Sequence, residues 1–465
     1  MKLYNTLTRK IEEFKTIKEK EVLFYHCGPT VYWVQHIGNL RAMTWADLIR
    51  RSLIYLGYNV KFVRNYTDVG HLTSDEDIGE DKMEKGAKRE GLTPQQIANK
   101  YIKIFENDTD ALNILEPDFK PRASEYIEQM QKMIQILIDK GFAYITDLAV
   151  VFDVSKFPDY NKLNHQNLEL NKQGAGKGKV EDPQKKHFAD FNLWVFKKGT
   201  HKNALQTWSS PWGEGFPGWH IECSVMAKSL LGDTIDVHMG GVEHISVHHT
   251  NEIAQSEAAN EKPFVHYWLH NEHLNVNDAK MAKSQGTGFT LQEIINKNFD
   301  PLDLRYFYLS AHYRSKQNFT WEALSAAKET LTKLRAITQE LKKSNETHKS
   351  NESHEPHSYY QRFRNALLSD FQIPQALAVT WEMFKSDLSP QQKLTLLFDF
   401  DKVFGLRLIE VTEEKIPNEA IMLAEERKLA RFNKDFKKSD ELRVKIEKLG
   451  FRIEDKNEAY IIKKL

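Results

Sequence analysis

Cysteine is almost missing from this 465-residue chain, which holds only Cys27 and Cys223, far apart in the sequence. So sparse a usage excludes the disulfide framework of a small secreted protein and suits a reduced compartment, in which both residues serve as thiols. Long apolar runs are missing as well: no stretch of about 18 consecutive apolar residues occurs, so no membrane-crossing helix is expected. The segment from Met1 to Lys20 alternates charge with single apolar residues and lacks the apolar core and small-residue cleavage site of a signal peptide. A cytoplasmic location is therefore expected. An excess of one charge sign is absent too, with 65 Lys and Arg against 65 Asp and Glu. Bulk electrostatics give no reason to expect a polyanionic partner, although a zero average does not describe local patches.

What is present is ample apolar material, 40% of residues. At about 100–200 residues per domain, roughly three units with their own cores are expected. EVLFYHCGPTVYW, starting at Glu21, reads as a strand closed by Gly28 and Pro29. IGNLRAMTWADLIRRSLIYLGY then carries apolar residues at helical spacing until Gly57, and NVKFVRNYTDV reads as a second strand. This βαβ unit predicts an α/β, Rossmann-like doubly wound domain with a crevice at the carboxyl ends of its strands. Between Asp118 and Gln206 the texture changes to one amphipathic helix, strand-like pieces near Tyr144 to Val151, and the Gly- and Lys-rich NKQGAGKGKVEDPQKK. The expected organisation is residues 1–117 with 207–270 as the Rossmann-like domain, 118–206 as an insertion and 271–321 as a linking fold. A helical bundle over 322–410 and a C-terminal region over 411–465 complete a mainly α-helical C-terminal part. KKSNETHKSNESHEPHS is expected to be a solvated loop.

Three constellations could carry chemistry. Cys27 ends the first strand, Cys223 lies on a short helix, and His248 and Glu252 are four apart on another, so that both point from one face. Two sulfurs, an imidazole and a carboxylate suit zinc. Read alone, the same residues are also two inert buried thiols and an exposed His/Glu pair, since neither CxxC nor HExxH occurs. The second is Gln35-His36-Ile37-Gly38-Asn39-Leu40-Arg41, where a helix N-terminus offers free amides and Gly38 permits close approach of a base or phosphate. The third is Lys280-Met281-Ala282-Lys283-Ser284, two lysines on a Gly-rich segment able to reach a polyphosphate, or a plain solvated basic loop.

Their order and spacing resemble the cysteinyl-tRNA synthetases, a family of class I aminoacyl-tRNA synthetases, along essentially the whole chain. His36 to Asn39 stands at that class's HIGH signature and Lys280 to Ser284 at its KMSKS signature. Further matches are Cys27-Gly28-Pro29-Thr30-Val31-Tyr32, Arg64-Asn65-Tyr66-Thr67-Asp68, Gly218-Trp219-His220-Ile221-Glu222-Cys223-Ser224, His248-His249-Thr250-Asn251-Glu252 and Asp370-Phe371-Gln372-Ile373-Pro374. Asn39, Ala282 and Glu243 depart from the family's commonest residues, and the C-terminus lacks its tryptophan.

The resemblance implies ATP-dependent attachment of L-cysteine to its cognate tRNA through a cysteinyl-adenylate. It implies one Zn2+ per chain, held by Cys27, Cys223, His248 and Glu252, and Mg2+ arriving with ATP. His36, Asn39, Lys280 and Lys283 take catalytic roles, and Gly38, Lys283 and Ser284 bind ATP. Trp219 is expected to wall the amino-acid pocket, with Thr67, His238 and Glu243 as its polar neighbours. A metal that selects the substrate thiol makes an editing domain unnecessary. The C-terminal region, with thirteen Lys and Arg against nine Asp and Glu from Glu425 onward, is expected to meet the anticodon, and the chain to be a monomer. Two alternatives are a ligase joining cysteine to an amino sugar, disfavoured by the long region after Glu322, and a non-catalytic zinc- and RNA-binding relative, disfavoured by the two retained lysines.

Overall fold

An N-terminal hairpin, β1 (Lys2–Asn5) with β2 (Lys10–Glu13), precedes the first strand of the core, β3 (Glu21–His26). The computed structural model describes residues 1–69, 81–165, 182–280, 288–347, 356–411, 417–456 and 459–464. Helix α1 (Ile37–Tyr55) starts where the ring of His36 accepts the backbone N–H of Asn39 at 3.2 Å, and it ends at Leu56 ahead of Gly57, whose φ is 91°. A positive φ costs glycine nothing, which is why the helix stops there. Strand β4 (Asn59–Arg64) returns parallel to β3, with Phe24 opposite Phe62. The expected βαβ unit is present.

The turns after these two strands are zipped together. Thr67 donates its N–H to Pro29, Val31 donates to Thr67, and the N–H of Gly28 reaches the side-chain oxygen of Asn65 at 2.8 Å. A Cβ at position 28 would sit 1.6 Å from the carbonyl oxygen of Asn65. Gly28→Ala is accordingly expected to cost about 1–3 kcal/mol, read as a lowered urea midpoint; an unchanged midpoint would show that the two turns can separate.

Helices α2 (Lys82–Glu90), α3 (Pro94–Ala111) and α4 (Ile127–Asp139) follow. Next comes an antiparallel sheet of β5 (Ala143–Ile145), β6 (Ala149–Phe152), β7 (Phe191–Phe196) and β8 (Gly215–Pro217), paired in that order. Helix α5 (Trp219–Leu231), strand β9 (Ile235–Gly241), helix α6 (His248–Asn260) and strand β10 (Val265–Asn271) then complete the parallel sheet, ordered β10-β9-β3-β4. The chain winds one way from β3 to β4 and the other way from β9 to β10. The switch point where ligand crevices form therefore lies between the neighbours β3 and β9.

Beyond it, β11 (Leu274–Val276), β12 (Ala279–Lys280), α7 (Leu291–Asn296), α8 (Pro301–Leu309) and β13 (Gln317–Phe319) lead into four helices. These are α9 (Trp321–Thr347), α10 (Pro356–Leu368), α11 (Ile373–Phe384) and α12 (Pro390–Phe404). Two buried arginines tie α1 into this body. Arg41 bonds Gln317 and the carbonyls of Glu272, His312 and Ser315. Arg305, on α8, bonds Asp47 of α1 at 2.6 Å and the carbonyls of Leu112, Asn113 and Phe404.

Met1–Ile409 forms one compact unit and Glu410–Leu465 a second. The second pairs α13 (Asn418–Phe432) and α14 (Phe436–Lys448) with a hairpin of β14 (Phe451–Lys456) and β15 (Ala459–Lys464). Ala420, Ala424, Ile446, Phe451 and Ile453 form its core, and the buried Arg427 pairs with Asp455 at 2.7 Å. The reading of this C-terminal part as mainly helical missed the hairpin, whose signal is the alternation Phe451, Ile453 and then Tyr460, Ile462. No helix among the described residues is long and apolar enough to cross a membrane.

Candidate active site and metal centre

Cys27 follows directly on β3 and is fixed there by its N–H on the carbonyl of Met239 at 3.1 Å. Cys223 comes from the first turns of α5, and His248 and Glu252 from the first two turns of α6. One donor atom from each of the four lies within 4.8 Å of the others, and all four side chains are buried. His248 Nε2 stands 3.0 Å from Glu252 Oε1. The alternative of inert thiols beside an exposed His/Glu pair fails on burial, since His248 is 2% and Glu252 0% exposed.

The charge of the cluster suits a cation. A hydrogen bond from Cys27 draws the Cys223 thiol down to about 6 against the effect of burial. Burial, with that same bond, pushes Cys27 up. Burial also opposes ionisation of Glu252, yet His238 and His248 hold its carboxyl down to about 2. His248 is penalised by burial, but Glu252 and Cys223 lift it to about 10. Cys223 and Glu252 are thus drawn toward their anionic forms and His248 toward its cationic form, a buried setting that suits a metal cation. The residues present fit a divalent metal of borderline softness.

More histidines surround this site than the sequence reading used. His220 Nδ1 is 2.9 Å from His248 Nδ1, and His249 Nδ1 is 2.8 Å from His270 Nε2. Their signal is weak in sequence, because His220, His249 and His270 come from three different elements. Trp219 stacks on His248 at 4.1 Å between ring centres. Thr67 donates its hydroxyl to Glu222 at 2.9 Å and accepts from Asn65 at 3.3 Å. His238, expected beside the substrate, is fully buried on β9 with its Nε2 2.9 Å from Glu252 Oε2. Glu243 lies on the turn after β9, half exposed and 3.7 Å from His273.

His36, Gly38 and Asn39 form the start of α1, as expected. The cap spends His36 Nδ1 as an acceptor, so a neutral ring carries its proton on Nε2. Lys280 ends β12, paired with Asn275; Ala282, Lys283 and Ser284 lie outside the described residues. Their downstream flank is placed: Ile37 donates its N–H to Phe289 at 2.8 Å, and His36 bridges Thr290. The end of the lysine segment and the start of the signature helix are therefore joined backbone to backbone.

A parallel sheet with helix starts and donor side chains gathered at its switch point is the architecture of a class I aminoacyl-tRNA synthetase. The family model for the class I (C) tRNA synthetase catalytic domain matches residues 13–329. The solved methionyl-tRNA synthetase of Mycobacterium tuberculosis in complex with methionyl-adenylate shares the fold. Its TM-score is 0.58 at 13% identity, over 84% of this chain and 91% of that one. Cysteine–tRNA ligase of Treponema denticola is 41% identical over the full length of both chains, and cysteine–tRNA ligase 1 of Burkholderia lata is 41% identical over 98% of this chain and 95% of its own. The chain belongs to the cysteine–tRNA ligase family and is a ligase.

Proposed function

We propose that the chain attaches L-cysteine to its cognate tRNA in two steps, first joining the cysteine carboxylate to the α-phosphate of ATP with release of pyrophosphate. The terminal ribose hydroxyl of the tRNA then takes the cysteinyl group from the adenylate. The observation that carries this reading is the buried Cys27, Cys223, His248 and Glu252 set at the switch point of the sheet. These four would hold Zn2+. When bound, zinc supplies a Lewis acid that favours a soft thiolate sulfur over serine's hard, high-pKa hydroxyl.

The chain's own groups position and neutralise the reactants. Displacement at phosphorus needs orientation and charge stabilisation more than covalent help. The amides at the start of α1 and the Nε2 proton of His36 face the nucleotide, Gly38 lets it approach, and Asn39 keeps an N–H donor at its place. Lys280 and Lys283 bring positive charge to the phosphates, Ser284 adds a hydroxyl, and Mg2+ enters with ATP. Trp219 walls the pocket beside His248. Thr67, its hydroxyl proton spent on Glu222, offers a lone pair to the substrate ammonium, and Glu243 offers a carboxylate. His238 supports the site from behind through Glu252.

The second unit, Glu410–Leu465, contacts the anticodon in this reading, and the chain acts as a cytoplasmic monomer. ATP–pyrophosphate exchange with cysteine and with serine, followed by tRNA charging, tests it. Exchange with cysteine alone, charging of tRNA, and one zinc per active chain are expected. Full activity with less than one equivalent of zinc would overturn the metal assignment, and exchange without charging would overturn tRNA as the acceptor.

A further inference from the structure

Glu252 serves more donors than one tetrahedral site uses. A second set, Cys27, His238, His249 and Glu252, also has its donor atoms within 4.8 Å of one another and every side chain buried. It keeps Cys27 and Glu252 and substitutes two imidazoles for Cys223 and His248. Cys27 Sγ faces His249 Nε2 at 3.3 Å. Glu252 serves both sets: Oε1 is 3.0 Å from His248 Nε2 and 3.9 Å from His249 Nε2, and Oε2 is 2.9 Å from His238 Nε2.

An independent observation is how the rings are backed. A metal-bound imidazole characteristically donates its other N–H to a fixed acceptor, which sets its tautomer and orientation. His249 Nδ1 is 2.8 Å from His270 Nε2, and His270 Nδ1 is 2.8 Å from Thr6 Oγ1. With His249 donating to His270 and His270 to Thr6, His249 Nε2 is left a lone pair on the side of Cys27. His248 has its own backing from His220. Successive residues of α6 therefore present two supported imidazoles, one to each set.

The geometry points to two overlapping seats for a single divalent cation of borderline softness. One seat is Cys27, Cys223, His248 and Glu252; the other is Cys27, His238, His249 and Glu252. The shared pair makes the seats mutually exclusive. A cation moving from one seat to the other would exchange Cys223 and His248 for His238 and His249, with Cys27 and Glu252 common to both. The second seat is harder, with one sulfur in place of two, and it releases Cys223. This deepens the metal assignment made above and rests on it.

Cobalt(II) provides a visible probe, because thiolate-to-cobalt charge transfer reports the number of sulfurs bound. The full chain loaded with cobalt is expected to show the two-thiolate band. Cys223→Ala is expected to keep one cobalt with about half the band intensity per metal. In that background, adding His249→Ala or His238→Ala releases the cobalt, whereas adding His248→Ala does not. His249→Ala by itself keeps the cobalt and the full band, which also reports a folded chain. Loss of cobalt from Cys223→Ala overturns the proposal. So does retention that depends on His248 rather than on His238 and His249, because the cation then sits in the remains of the first seat. A parent chain that binds no cobalt overturns the first assignment and this one with it, and is told apart by needing no variant.

Discussion

Arg305→Met is expected to lower the stability of the Met1–Ile409 unit by about 3–5 kcal/mol, the usual cost of removing one partner from a buried ion pair. The guanidinium is fully buried and serves Asp47 on α1 together with carbonyls at the ends of α3 and α12. Methionine fills much of the volume but leaves those carbonyls without a donor. Asp47 keeps Arg51 at 2.9 Å and the N–H of Leu115, which favours the lower end of the range. Lysine recovers only part of the loss, because one ammonium cannot reproduce the planar fork.

The same pair carries a pH signature. Burial pushes the Asp47 carboxyl up, but Arg305 first and then Arg51 outweigh it and hold the group below its ordinary value of 3.8. A depressed carboxyl contributes stability that is present above the ordinary value and is lost as pH falls through the depressed one. The parent chain should therefore lose stability on acidification below about pH 4 more steeply than Arg305→Met. Urea unfolding of both chains at neutral and acid pH reads this directly. Equal midpoints at neutral pH would show that Arg305 only fills space.

Lys283→Ala is expected to depress cysteine-dependent ATP–pyrophosphate exchange by roughly 10² or more while leaving cysteine and zinc binding nearly intact. Charge accumulates on the phosphate oxygens as the carboxylate attacks, so a cation that meets it there acts on the barrier more than on the ground state. In the proposed reaction cysteine is selected at the metal centre, on groups next to β3 and on α5 and α6, which is why its binding should be spared. The expected pattern is a fall in kcat with little change in the KM for cysteine. Unchanged exchange would remove Lys283 from the reaction.

The fold of the catalytic core was legible because its signals are local. Glu21 to Arg64 carries a strand, a capped helix and a second strand in one short stretch, with Gly28 and Gly57 at the turns, and a parallel βαβ unit has little freedom beyond that. Spacing alone did not decide the metal cluster. Cys27, Cys223, His248 and Glu252 become a set only when the β3–β9 pairing brings distant segments together, so the resemblance carried what the pattern did not. The packing of His249 and His270 around the site was missed for the same reason, and His238, expected in the amino-acid pocket, meets them across two strands and a helix. The C-terminal hairpin failed differently: Phe451 to Leu465 is short and heavily charged, and a charged, helix-compatible composition hid a period of two.

The backbone pairing of His36 and Ile37 with Phe289 and Thr290 bears on the role proposed for Lys283. Lys283 is three residues past the end of β12, within about 11 Å of extended chain from Lys280. Its two flanks are placed, Lys280 on β12 and Phe289 against the start of α1. In the proposed reaction the charge of Lys283 would meet ATP as an intramolecular partner, at an effective concentration set by chain length rather than by encounter. Eight residues separate Lys280 from Phe289, and on the proposed role of Lys283 lengthening this span should weaken exchange as mutating the lysine does.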